Sequence, residues 1–205
     1  MKRFVDIVIA SIAILFLSPV FLFVAYKVRK HLGSPIFFCQ ERPGKDGKIF
    51  KMIKFRSMKN ALDSQGNLLP DEQRITSFGQ KLRATTLDEM PQLFNVLKGD
   101  MSIVGPRPQM PEFLEYYTTD QMRRHEVKPG MTGLAQVSGR NNLSWEEKFN
   151  LDVQYVENHN ILLDFKIMLK TVDVMLKREG INAPNQTVGS SRFTGSESQS
   201  SSIVK

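Results

Sequence analysis

Cysteine is nearly absent from this chain: Cys39 stands alone among 205 residues. That excludes an intrachain disulfide and favours a reducing, cytosolic setting. Histidine is scarce too. His31, His125 and His159 lie far apart and match no zinc spacing. A metal here is expected to be a hard ion held by carboxylates and phosphate. There is no Walker or dinucleotide-binding motif and no internal repeat. Finally, no charged residue occurs between Ile7 and Tyr26.

That uncharged run of about 20 residues makes a helix about 30 Å long, the thickness of a bilayer core. No small-residue cleavage site follows it, so a cleavable signal peptide is not expected. Two readings stay open. A single-pass span fits the length. Ser18-Pro19 near the middle, where proline removes a helix hydrogen bond, fits a bent helix that returns to the leaflet it entered. In that case a hydroxyl such as Ser18 re-satisfies the freed backbone. Both flanks are basic, with Lys2 and Arg3 on one side and Lys27, Arg29 and Lys30 on the other. A spanning helix should show a bias instead. Asp6 is expected near the interface, paired with Arg3.

What the chain has in excess is positive charge. A formal charge of +7 and a pI near 9.5 point to an anionic partner: nucleotide, phosphate, anionic lipid or nucleic acid. With 41% apolar residues, one domain plus an appendage is expected. Residues 34–58 read as a β-hairpin around Pro43-Gly44-Lys45-Asp46-Gly47-Lys48, with Lys54 and Arg56 on one face of the returning strand. Residues 60–74 read as a polar excursion and Phe78–Leu82 as a short helix. Another short helix is expected near Glu112–Tyr117, followed by a basic turn with Arg123, Arg124 and Lys128. Ser144-Trp145-Glu146-Glu147 is a capping box opening a helix to about Asn158. A last helix over Ile161–Arg178 carries many apolar positions, with Lys166, Lys170, Lys177 and Arg178 on the remainder. It either packs on the core or lies on anionic lipid. Past Gly180 the Ser-, Thr- and Asn-rich chain is expected to be disordered.

The candidate site is Thr85-Thr86-Leu87-Asp88-Glu89-Met90-Pro91-Gln92-Leu93. Leu87, Met90, Leu93, Phe94 and Leu97 fall on one helical face, ended by Gly99. Pro91 belongs in the first turn. Asp88 is then at or beside the N-cap, and Glu89 is in the first turn. A capped helix start with no chemistry is the plain reading. The functional one is a nucleophilic carboxylate kept ionised at a helix N-terminus, with a cation shared between the adjacent charges. Two further stretches bear on the choice. In Gly105-Pro106-Arg107-Pro108 the prolines fix the backbone around one arginine, which suits a bidentate anion such as phosphate. The glycines of Pro129–Asn141 suggest backbone in close contact with a ligand.

Taken in order, KRFVDIV, Ser18-Pro19, QERPG, FKMIKFRSM, LDEMPQLFNVLKGDMSIVGPRP, KPGMTGLAQVSGRN and LDVQYVEN…LLDFKI resemble the bacterial sugar transferases called monotopic phosphoglycosyl transferases. The resemblance runs from about Lys2 to Arg178, and the short length is similar to the minimal, PglC-like members. It implies an α/β (α+β, helix-rich) compact cytoplasmic domain with interfacial amphipathic helices. Residues 1–30 would form a re-entrant membrane helix bent at Ser18-Pro19, residues 31–180 the catalytic domain and residues 181–205 a disordered tail.

The reaction so implied moves a phospho-sugar from a UDP-(N-acetylated) sugar to polyprenyl (undecaprenyl) phosphate, at the cytoplasmic face of a bacterial inner membrane. Asp88 matches the family's nucleophile, and Glu89 the neighbouring glutamate that helps hold Mg2+. Lys54, Arg83, Arg107 and Arg140 match phosphate- or nucleotide-binding positions. Glu112, Asp152 and Tyr155 fit the pattern without an assigned role. An anionic phospholipid surface is an implied partner and nucleic acid is not; a homodimer is left open. The competing class is a non-catalytic, membrane-anchored basic binding module.

Overall fold

The computed structural model describes residues 1–139 and 142–177, together with Phe193 and Gly195. The expectation of a disordered tail over 181–205 therefore lies outside the described residues, apart from those two. Phe193 itself is buried against Phe113, Tyr117 and Phe149.

The chain opens with helix α1 (Lys2–Leu32). Strands β1 (Phe37–Pro43) and β2 (Ile49–Phe55) follow as the expected antiparallel hairpin, with Phe37 opposite Phe55 and Pro43 opposite Ile49. Short helices α2 (Asp71–Arg74) and α3 (Ser77–Ala84) lead to a 3-10 turn over Leu87–Glu89 and then helix α4 (Gln92–Lys98). Strand β3 (Ser102–Val104) comes next, then a 3-10 turn over Pro111–Glu115 and α5 (Thr119–Met122). Strand β4 (Gly130–Thr132) pairs with β3 in parallel, and α6 (Leu134–Ser138) follows it. Helices α7 (Trp145–Asn158) and α8 (Ile161–Lys177) close the described chain. The result is a helix-rich α+β fold with two small sheets. The capping box at Ser144 forms as read, with the Glu147 amide donating to Ser144 Oγ.

Helix α1 is long and apolar enough to cross a membrane. Its helical assignment continues through Pro19. Pro19 cannot donate to the carbonyl of Leu15, and the Ser18 hydroxyl donates to that carbonyl instead, at 2.8 Å. Both halves of α1 pack on the same body. Ala10 is buried with Met52, Leu93, Val96 and Met101, while Val24 and Val28 are buried with Phe55, Leu82 and Met90.

Polar ties reinforce this packing, and they differ from the expected ones. Asp6 is not paired with Arg3. It is 4% exposed and accepts from Ser102 Oγ at 2.9 Å and the Ile103 amide at 3.0 Å. Arg3 instead donates to the carbonyls of Val96 and Leu97 at the end of α4, where a cation complements the helix dipole. Arg56, expected on one strand face with Lys54, donates to the Leu32 and Ser34 carbonyls and so caps the C-terminus of α1.

Two other expectations are corrected by burial. Phe94 is exposed, and the buried positions of α4 include Gln92 and Asn95. The Asn95 side chain accepts from the Ile53 amide and donates to the Lys51 carbonyl, locking α4 to the edge of β2. Nor do the glycines around β4 open the backbone to a ligand. A Cβ on Gly130 would lie 2.1 Å from the Gly105 amide nitrogen, and one on Gly133 2.2 Å from the Gly105 carbonyl oxygen. These glycines permit two backbone segments to touch.

Candidate active site

Helix α3 ends at Ala84, and Thr86 then takes the left-handed conformation (φ 59°, ψ 9°). For a residue with a Cβ this costs about 1–2 kcal/mol. It turns the chain sharply into the 3-10 turn that carries Asp88 and Glu89. Pro91 is the N-cap of α4 rather than part of its first turn. The acidic pair therefore precedes α4 and does not ride on it.

The two carboxylates have opposite surroundings. Glu89 Oε1 accepts from Lys54 Nζ at 2.8 Å and Arg107 Nη2 at 2.6 Å, and its Oε2 accepts from Arg107 Nη1 at 3.1 Å. The arginine framed by Pro106 and Pro108 thus makes a bidentate fork, but on Glu89. Burial alone would push the Glu89 carboxyl up. The Arg107 and Lys54 charges and their hydrogen bonds outweigh that and hold it well below the usual carboxylate range.

Asp88 is 7% exposed and makes no hydrogen bond among the described residues. Burial first, and the adjacent Glu89 charge second, push it up to about 6, against the pull of Lys54, Arg83 and Arg107. The expectation that a helix N-terminus keeps Asp88 ionised is corrected: no long helix begins at this position, and a like charge sits beside it.

Both carboxylates line a cavity of about 1010 Å³, which also takes in Lys54, Arg83 and Arg107. Arg83 donates to Ser57 Oγ at 2.9 Å from the adjoining wall. Five of the six charged residues anticipated for the site, Asp88, Glu89, Lys54, Arg83 and Arg107, therefore meet in one place. Arg140 lies outside the described residues. A second wall is apolar: Ile9, Ala13 and Leu17 from α1 face the cavity together with Met168 and Met175 from α8.

Glu112 is exposed in its 3-10 turn. Asp152 and Tyr155 have structural partners. Arg124, expected in a basic turn, is buried and donates to Asp152 Oδ2 at 2.6 Å, to Tyr117 Oη at 2.7 Å and to the Arg107 carbonyl at 2.7 Å. The Tyr155 hydroxyl lies 2.6 Å from Asp164 Oδ1 and 3.1 Å from the Val104 carbonyl. Sequence reasoning missed Ser57 and Arg124 as site supports. Their partners lie 26 and 28 residues away, and no local pattern marks them.

Could these residues hold Mg2+? Among the described residues no three His, Cys, Asp or Glu side chains cluster as a metal site. The ion, however, commonly uses one or two carboxylates and completes its shell with substrate phosphates and water. Glu89 Oε2 accepts one hydrogen bond and keeps a lone pair free, and Asp88 is unengaged. The donor set fits on those terms.

The fold and this cluster define a class: a domain built onto an apolar helix, presenting an acidic pair among cations in a half-apolar cavity. The chain belongs to the bacterial sugar transferase family, whose model matches residues 1–178. It is 52% identical to the uncharacterized sugar transferase EpsL of Bacillus subtilis (strain 168), over 98% of this chain and 99% of that protein. It is 41% identical to the undecaprenyl-phosphate galactose phosphotransferase of Salmonella typhimurium, over 88% of this chain but 41% of that protein. It is also 40% identical to the UDP-glucose:undecaprenyl-phosphate glucose-1-phosphate transferase of Klebsiella pneumoniae, over 83% and 39%. The chain therefore spans about two fifths of those two larger enzymes.

Proposed function

We propose that this protein transfers a phospho-sugar from a UDP-sugar to polyprenyl phosphate at the cytoplasmic face of a bacterial inner membrane, with Asp88 as nucleophile. The observation that carries the reading is the asymmetry of the acidic pair. Glu89 is held by two cations, while Asp88 is buried beside it with its oxygens free. A docking surface has no use for a buried, unpaired carboxylate under a cationic cluster; covalent catalysis does.

In the first step an Asp88 oxygen attacks the sugar-linked phosphorus. The bond from that phosphorus to the bridging oxygen breaks, UMP leaves with the electron pair, and an acyl phosphate to the sugar remains. In the second step an oxygen of polyprenyl phosphate attacks the same phosphorus and restores the carboxylate, giving polyprenyl-diphospho-sugar. Lys54, Arg83 and Arg107 offset the charge that gathers on the phosphates. Glu89 holds Arg107 and Lys54 in place, and with substrate phosphates it would bind Mg2+, which supplies further charge neutralisation when bound.

The membrane arrangement is supported by α1. A spanning helix delivers its ends to opposite faces, whereas here residues near both ends pack on one domain. The exposed apolar side chains of α1, with Leu162, Phe165, Leu169 and Val172 of α8, offer a surface for lipid. The apolar cavity wall formed by these same two helices gives a polyprenyl chain a path to Asp88. A cysteine placed at position 2, with Cys39 replaced, is expected to stay unlabelled by impermeant maleimide in intact cells. External labelling would rule out the re-entrant topology and leave a bitopic enzyme.

The function is tested by UMP release from purified protein in nanodiscs, with undecaprenyl phosphate and Mg2+. The panel runs over UDP-galactose, UDP-glucose and their N-acetylated counterparts. At least one is expected to give a lipid diphospho-sugar in equal amount to UMP. No turnover with any UDP-sugar would return the chain to the class of binding modules.

A further inference from the structure

Two polar groups in the wall of the catalytic cavity have no partner. On α6, Nε2 and Oε1 of the Gln136 carboxamide are both shielded from solvent, and neither makes a hydrogen bond among the described residues. On α7, Asp152 is 2% exposed; Oδ2 is taken by Arg124, and Oδ1 is buried and unpartnered. Both residues line the cavity that holds Asp88 and Glu89. Native proteins pair such atoms with protein groups, ordered water or a ligand, so bare ones beside a cavity mark where a ligand's polar groups can be received.

The chemistry of that ligand is constrained. Asp152 cannot turn away, because Arg124 grips Oδ2 through Nε at 3.1 Å and Nη2 at 2.6 Å while its other bonds run to Tyr117 and to the Arg107 carbonyl. Oδ1 is therefore a preset acceptor, and an ionised carboxylate can only accept. A phosphate offers it no proton and repels it, and an isoprenoid chain has no donor. The group that fits is an O–H or N–H. Gln136 adds one donor and one acceptor side by side, which matches a ligand with an adjacent acceptor and donor.

We propose that Gln136 and Asp152 form a recognition subsite for the non-phosphate part of the sugar nucleotide, placed in the same cavity as the phosphate-handling cluster. The proposal rests on the reading of that cavity as a UDP-sugar site. The required donor and acceptor occur in two parts of such a molecule, the imide edge of uracil and the hydroxyl or acetamido groups of the sugar. A subsite that engages atoms remote from the reacting phosphorus selects among substrates, and a mismatched one leaves these buried groups bare.

The full chain in nanodiscs is compared with Gln136→Leu, which keeps the size and removes both hydrogen-bonding atoms, and with Gln136→Glu, which keeps acceptors only. UMP binding is measured by calorimetry, and kcat/KM for UMP release is measured with the UDP-hexose of the panel above that is turned over fastest and with its C4 epimer. If the subsite reads the base, Gln136→Leu weakens UMP binding at least tenfold, and 3-methyl-UMP binds the unmodified protein as weakly as UMP binds the variant. If it reads the sugar, UMP binding holds while the kcat/KM ratio between the two hexoses changes at least fivefold. Gln136→Glu follows Gln136→Leu wherever the donor is the atom used. Asp152→Asn is expected to move the same quantity, and the Gln136 variants decide the matter if it does not fold.

A folded Gln136→Leu within twofold of the unmodified protein in both measurements overturns the subsite, while the unmodified protein's turnover leaves the function standing. An unmodified protein that neither binds UMP nor releases it overturns the function, and the subsite with it.

Discussion

Asp88→Asn abolishes UMP release, at least 10⁴-fold in kcat, and at the same time raises the melting midpoint. The first half follows from replacing the attacking oxygen with an amide that cannot form the acyl phosphate. The second follows from linkage. The Asp88 carboxyl in the fold sits at about 6, above its ordinary 3.8. A group raised in this way contributes stability that is present below 3.8 and lost as pH rises through about 6. At pH 7 the ionised aspartate therefore costs the fold up to about 3 kcal/mol, which asparagine removes. For the same reason, UMP release by the unmodified protein in single turnover without added metal is expected to rise about tenfold per pH unit below 6 and level off above it. Substantial UMP release by Asp88→Asn would sink the nucleophile assignment. An unchanged or lower midpoint at pH 7 would show that the site does not strain its own carboxylate.

Arg124→Met lowers the melting midpoint by about 10 °C. The Arg124 and Asp152 side chains are 1% and 3% exposed, so removing the guanidinium leaves a carboxylate buried without its counter-charge. Breaking such a pair costs roughly 3–5 kcal/mol, and 1 kcal/mol moves the midpoint of a domain this size by about 2–4 °C. Arg124→Met with Asp152→Leu is expected to recover much of the loss, because two apolar groups need no partner. Emission from Trp145, the single tryptophan, reports the melt. A single variant melting within 2 °C of the unmodified protein would show that water, rather than Arg124, satisfies Asp152.

The elements that local patterns encode were legible. Turn chemistry at Gly44–Lys48 placed the hairpin, Ser144 and Glu147 placed the start of α7, and the uncharged run placed α1. The charged residues of the site were legible as a set because all but Arg83 sit in ordered motifs. What pairs with what was not. Arg107 was expected to face phosphate and grips Glu89; Asp6 was matched with its neighbour Arg3 and reaches Ser102, 96 residues away. Charge spacing reports which groups are near in sequence, whereas a buried polar atom takes whichever partner the packing delivers. The glycines near β4 were misread for the same reason: close approach was the right inference, and Gly105 rather than a ligand is what approaches.

The ties that bind α1 have a practical consequence. Its Ala10, Val24 and Val28 fill the interior, Asp6 closes two donors at Ser102 and Ile103, and Arg56 donates to the carbonyl of its last residue, Leu32. The long apolar helix is thus a structural beam of the body it packs on, not a tether joined to it. Trimming it would not yield a soluble enzyme but a domain with its flank torn open. If α1 lies in a bilayer as proposed, a beam packed along the body in this way would also set the height at which the cavity rides above the lipid.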